Sequence, residues 1–107
     1  MSARPLAYRL GQDASLVVDL GAESVGWRLG DERVTARRLL QHAPGDRVAE
    51  AEALTRRALR DLRAAAAAEP DRRRAARLRR MASDLWSEHR AALNGRGRGG
   101  QARLPGL

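Results

Sequence analysis

The chain has 107 residues and a net charge of +8, from 21 basic side chains, all arginine, against 13 acidic ones. This length fits one small domain with a thin core, and the lack of cysteine excludes disulfides, thiol catalysis and cysteine-based metal sites. No run nears the roughly 18 apolar residues of a membrane span, and Met1-Ser2-Ala3-Arg4-Pro5 does not open a secretory leader.

A soluble cytoplasmic protein with no membrane contact is therefore expected. Lys, Ile and Phe are absent and Asn occurs only at Asn94, the bias of a GC-rich bacterial gene. The preference for Arg over Lys thus reflects codon usage, and only the excess of positive charge asks for a function.

From Leu6 to Gly30 the apolar residues alternate: Leu6, Tyr8 and Leu10, then Leu16, Val18 and Leu20, then Val25, Trp27 and Leu29. Period two predicts strands. Gly11-Gln12-Asp13 and Gly21-Ala22-Glu23-Ser24 supply turns, so a three-stranded antiparallel meander is expected over 6–30. Its apolar face needs a cover, which the helices downstream must provide.

Asp31 reads as the N-cap of a short helix over 32–42, with Ala36, Leu39, Leu40 and Ala43 at helical spacing and Ala43-Pro44-Gly45 as its stop. Asp46 reads as the cap of a second helix over 47–69. Val48, Ala51, Thr55, Ala58, Leu59, Leu62 and Ala65 share one side of it, and Arg56, Arg57, Arg60 and Arg63 lie opposite. Glu52–Arg56 and Arg57–Asp61, each four residues apart, are expected to neutralise that polar side. Glu69-Pro70-Asp71 breaks the helix and caps a third over 72–93, which Asn94-Gly95 ends. Folding back about Pro70 sets Leu62 against Leu78, Leu59 against Met81 and Thr55 against Leu85, an antiparallel helical hairpin. The expected fold is α+β: a single small domain over 1–94, then a flexible Gly/Arg tail over 95–107 that has too few apolar groups to order. The alanine-rich seam buries little area, so the hairpin should lean on the meander or on a second copy of itself.

Charge is not spread evenly, for residues 70–107 hold ten arginines and three acids. Arg72, Arg73, Arg79, Arg80 and Arg90 project away from the apolar stripe of the third helix, with Ser83 and Ser87 on the same face. Three adjacent arginines fill its first turn, where the macrodipole disfavours cations. Arg77 belongs to the same cluster, and Arg96-Gly97-Arg98-Gly99-Gly100 resembles arginine–glycine segments that bind RNA or DNA without folding. Arg72, Arg73, Arg77, Arg79, Arg80, Arg90, Arg96 and Arg98 are therefore the expected nucleic-acid-binding residues. They would contact phosphates with little base readout, since no Asn or Gln lies among the helix arginines to read adenine.

His42 and His89 lack acidic or cysteine partners at metal-ligand spacing, so no metal or cofactor is expected, and His89 reads as a core or dimer-seam residue bonded to backbone. Trp27 and Trp86 read as core anchors. No P-loop, Gly-x-Ser-x-Gly elbow or His-Glu-x-x-His occurs, and no enzyme is expected.

Tyr8-Arg9-Leu10-Gly11, the apolar run to Leu20-Gly21-Ala22, Val25-Gly26 and Ala36-Arg37-Arg38-Leu39-Leu40 together resemble a stretch in the N-terminal region of actinobacterial plasmid mobilisation relaxases. The likeness covers residues 8–40. It implies a mobile-element context and a DNA-associated role; Tyr8 matches a structural position of that pattern, and no catalytic residue carries over. The function expected is that of a small basic accessory protein binding nucleic acid, duplex DNA in preference. The alternative is a non-catalytic helical-hairpin module that docks on a second copy of itself or on an acidic protein.

Overall fold

Strands β1 (Leu6–Leu10), β2 (Ala14–Asp19), β3 (Ser24–Leu29) and β4 (Glu32–Val34) precede helices α1 (Ala36–Leu40), α2 (Gly45–Ala68) and α3 (Arg72–Arg103). This computed structural model describes residues 4–103, with side chains as far as Arg96. The four strands form one antiparallel sheet in the order β1-β2-β3-β4, and the architecture is the expected α+β with a helical hairpin.

Alternation places one row of large side chains on the inner face. Tyr8 pairs with Leu16, Leu16 with Trp27 and Trp27 with Val34, so one buried residue from each strand stands in line. Gly11 and Gly30, both at φ 63°, let the β1–β2 and β3–β4 turns close in the left-handed region. The Gly30 amide donates to the Asp13 carbonyl at 2.8 Å, and the two turns lie together at one end of the sheet.

The fourth strand is a correction to the helix expected over 32–42. Gly30-Asp31 reverses the chain as a tight hairpin, and Val34 then completes the inner row opposite Trp27. Only after β4 does Thr35 start α1, its Oγ1 accepting from the Arg38 amide at 3.1 Å. Helix α2 likewise starts earlier than expected. Pro44 holds its cap position, and Asp46 lies within the first turn.

The hairpin forms with α2 and α3 antiparallel. Its seam buries Thr55, Ala58, Leu59 and Leu62 of α2 with Leu78, Ala82, Leu85 and His89 of α3. The Thr55 hydroxyl donates back to the Ala51 carbonyl at 2.8 Å, which lets a polar residue sit in the seam without an orphaned group. His89 is a core residue, but its Nε2 faces the Glu52 carboxylate at 3.5 Å and not backbone; its ring packs against Trp86, centroids 5.4 Å apart.

The sheet closes against this hairpin through Tyr8. Its hydroxyl donates to Asp61 Oδ2 at 2.6 Å, and the Arg57 guanidinium lies 5.6 Å above its ring. Asp61 is thereby diverted from the expected pairing with Arg57 four residues earlier. Burial pushes the Tyr8 phenol well above its ordinary value, and the hydrogen bond to the Asp61 carboxylate adds to the shift. Folding therefore gains from the neutral phenol below the unfolded value of about 10, and that gain is lost as pH rises through the folded value. Tyr8 is the one tyrosine, so its ultraviolet absorbance is unambiguous. The folded protein should show no phenolate near pH 10, where the denaturant-unfolded chain is half ionised; matching titrations would remove Tyr8 from the sheet–hairpin contact.

Helix α3 does not stop at Asn94-Gly95. Gly95 does not take the left-handed conformation of a C-terminal cap. Arg96 instead donates through Nη1 to the carbonyls of Leu40 and, at 3.0 Å, Ala43, which ties this turn of α3 to the end of α1. Of the flexible tail expected over 95–107, the backbone is helical as far as Arg103, and residues 104–107 lie outside the described residues. No helix among the described residues is long and apolar enough to cross a membrane.

Candidate nucleic-acid interface

Asp71 makes the crowded first turn of α3 possible. Its Oδ1 accepts from the amides of Arg73 at 2.9 Å and Arg74 at 3.4 Å, placing a carboxylate at the positive end of the helix beside three arginines. From there the arginines of α3 divide by direction.

One set turns toward the sheet and α1, and each member is occupied. Arg74 bonds Glu69 at 2.8 Å, Glu23 at 2.9 Å and the Leu20 carbonyl at 2.8 Å. Arg77 grips both oxygens of Glu23, at 2.5 and 3.1 Å. Glu23 itself stands at φ 54°, a left-handed conformation that a non-glycine residue keeps only when its surroundings impose it. Two guanidiniums from α3 supply that constraint. Of the residues expected to contact phosphate, Arg77 is bonded to Glu23 on the side of α3 facing the β2–β3 turn while its side chain stays half-exposed, and Arg96 is bonded to the carbonyls at the end of α1. The Arg98 side chain lies outside the described residues.

Arg77 foremost, with Arg74, holds the Glu23 carboxyl below the ordinary glutamate range, while Glu23 raises Arg77. The ion pair therefore stabilises the fold fully above the unfolded glutamate value of about 4.3, and its contribution fades as pH falls through the lower folded value. Glu23→Gln should lower Tm at neutral pH and flatten the fall of Tm below about pH 4.3. Parallel Tm–pH curves for the two proteins would show that this pair does not couple α3 to the sheet.

The other set is Arg72, Arg73, Arg79, Arg80 and Arg90, all exposed. Among the described residues none of the five is ion-paired with a carboxylate. Arg72 and Arg79, like Arg73 and Arg80, are seven residues apart, two turns along one line of the helix. These five lie along the outward side of α3, whereas Arg77 and Arg96 are bonded to the β2–β3 turn and to α1.

Sequence reasoning passed over two further arginines. Among the described residues only Arg56 of the α2 polar side is ion-paired, with Glu52 at 3.2 Å, and it also lies 4.8 Å from the Trp86 ring centroid. Arg60 and Arg63 are exposed without a carboxylate partner among the described residues. The Arg56–Trp86 and Glu52–His89 contacts set a register in which Arg63 stands level with Arg79, so the cationic surface spreads from α3 onto α2. The sequence signal was the imbalance within residues 56–63, four arginines against the single acid Asp61.

Elsewhere, a cleft of about 500 Å³ between the β3–β4 edge and α3 is lined by Gly26, Arg33, Thr35, Arg37 and Glu88. Its carboxylate is engaged, Glu88 Oε2 accepting from the Ala36 amide at 2.7 Å. No group of three His, Cys, Asp or Glu side chains among the described residues is placed to hold a metal ion. Neither a family model, a curated protein nor a solved structure matches the chain.

Proposed function

We propose that this chain is a small nucleic-acid-binding accessory protein that grips the phosphate backbone, preferentially of duplex DNA, with the outward side of α3. The observation that carries this reading is the division of α3's arginines among the described residues: those facing the protein have acceptors, and those facing away have none. Keeping cations without ion-pair partners on successive turns near a helix N-terminus costs stability that the single Asp71 cap relieves only in the first turn. An anionic partner offsets that cost. Arg72 to Arg90 span roughly 27 Å of helix at 1.5 Å per residue, long enough to follow several phosphates. A mobile-element setting, which the resemblance over residues 8–40 implies, suits such a role.

The hairpin-module alternative has less support. The alanine-lined seam is filled by the chain's own helices, and Leu6 is the one large exposed apolar side chain among the described residues. Fluorescence anisotropy of a labelled duplex over a series of salt concentrations tests the proposal. Five phosphate contacts give a log–log slope near −4.5, at about −0.9 per contact. Binding that ignores salt, or no binding at all at low salt, would overturn it.

A further inference from the structure

The open face of the sheet carries a second row of arginines. Arg9 pairs with Ser15, Ser15 with Arg28 and Arg28 with Arg33, one residue along from the inner row of Tyr8, Leu16, Trp27 and Val34 and therefore on the opposite face. Arg9, Arg28 and Arg33 are exposed, Arg33 at the β4 edge where it also lines the cleft beside α3, and among the described residues none is ion-paired with a carboxylate. Arg28 and Arg33 stand directly across from each other, a like-charge pair that destabilises a sheet.

These side chains are held in place. Arg9 Nη2 donates to the Gln12 carbonyl at 3.2 Å, Arg28 Nη2 to Asp31 O at 2.9 Å and Arg33 Nη2 to Val25 O at 3.1 Å. Each bond uses one of five guanidinium N–H donors, leaving the rest for an anion. Gly26 makes room for Arg33, whose guanidinium lies 3.0 Å from where a Cβ would stand. Of the nearby acids, Asp13 is taken by Arg47 at 2.9 Å, and Asp19 caps the β2–β3 turn through the Ala22 amide at 3.0 Å. The row spans three strand spacings, roughly 14 Å. It offers no aromatic ring on which unpaired bases could stack, since Tyr8 and Trp27 point inward, which favours the phosphates of a duplex over a single strand.

We infer that this face is a second phosphate-contacting surface, so that one molecule holds two duplexes, one against α3 and one against the sheet. The inference rests on the proposed function of α3. Donor-labelled and acceptor-labelled duplexes mixed with the protein should show energy transfer. In Arg9→Thr, Arg28→Thr, Arg33→Thr the protein concentration needed for transfer should rise by roughly 500-fold at 0.1 M salt, the loss of three phosphate contacts at about −0.9 each. Anisotropy on a single labelled duplex should change by less than about 3-fold, because α3 remains. Arg9→Gln, Arg28→Gln, which keeps the Arg33–Val25 bond, repeats the test with that bond intact.

Duplex binding by the unaltered protein without transfer overturns the inference and leaves the α3 reading standing. Transfer undiminished in both variants overturns it too, showing that a second copy of the chain supplies the other surface. Failure to bind any duplex removes the α3 reading and this inference with it.

Discussion

Trp27→Ala should destabilise the protein by about 3–5 kcal/mol, a large share of what a domain of this size holds. Trp27 is 1% exposed and is the largest fully buried side chain. It stands between Leu16 and Val34 in the inner row. Its removal leaves a void between a sheet and a hairpin whose seam is already filled by its own leucines and alanines, and neither rigid layer can collapse to fill it. Trp27→Phe should cost far less, because the buried Nε1–H has no acceptor to lose. Urea denaturation followed by far-UV circular dichroism measures both changes. A loss under about 1 kcal/mol for Trp27→Ala would mean that the sheet does not anchor the core.

Replacing Arg73, Arg79 and Arg80 together with Ala should produce the opposite pattern, a large loss of binding with no loss of stability. Removing three phosphate contacts makes the salt slope shallower by about 2.7, which at 0.1 M salt is an affinity loss of two to three decades relative to the 1 M extrapolation. The fold should be as stable as before or more so, for none of the three makes a side-chain ion pair among the described residues and alanine is the best helix former. A fall in Tm with unchanged affinity would identify these side chains as structural.

The parts legible in the sequence are those where a local period carries the signal. Strict alternation marked β1, β2 and β3, and the break at Pro70 with matching apolar stripes marked the hairpin. Strand β4 was hidden because Glu32–Val34 offers one apolar residue, too few for a period, so the helical spacing from Ala36 onward absorbed it. Its trace was Gly30-Asp31, a hairpin turn signal, followed by Thr35 as a helix cap. The outward ridge of α3 was visible from helical geometry. The fates of Arg77 and Arg96 were not. Their acceptors, Glu23 and the Leu40 carbonyl, are more than fifty residues away in the chain, and only the tertiary fold brings them together. The row Arg9, Arg28, Arg33 stayed hidden for the same reason, since it exists only once strand register aligns three separate segments.

Within α3, direction and not number of charges should decide what an arginine does. The most direct test sets the salt slope of Arg73→Ala, Arg79→Ala, Arg80→Ala beside that of Arg74→Gln, Arg77→Gln, each measured below its own Tm on the same labelled duplex. The outward triple should lose about 2.7 of the slope, while the inward pair keeps the full slope and loses thermal stability instead. Equal loss of slope per arginine in both variants, or none in either, would contradict the division on which this account stands.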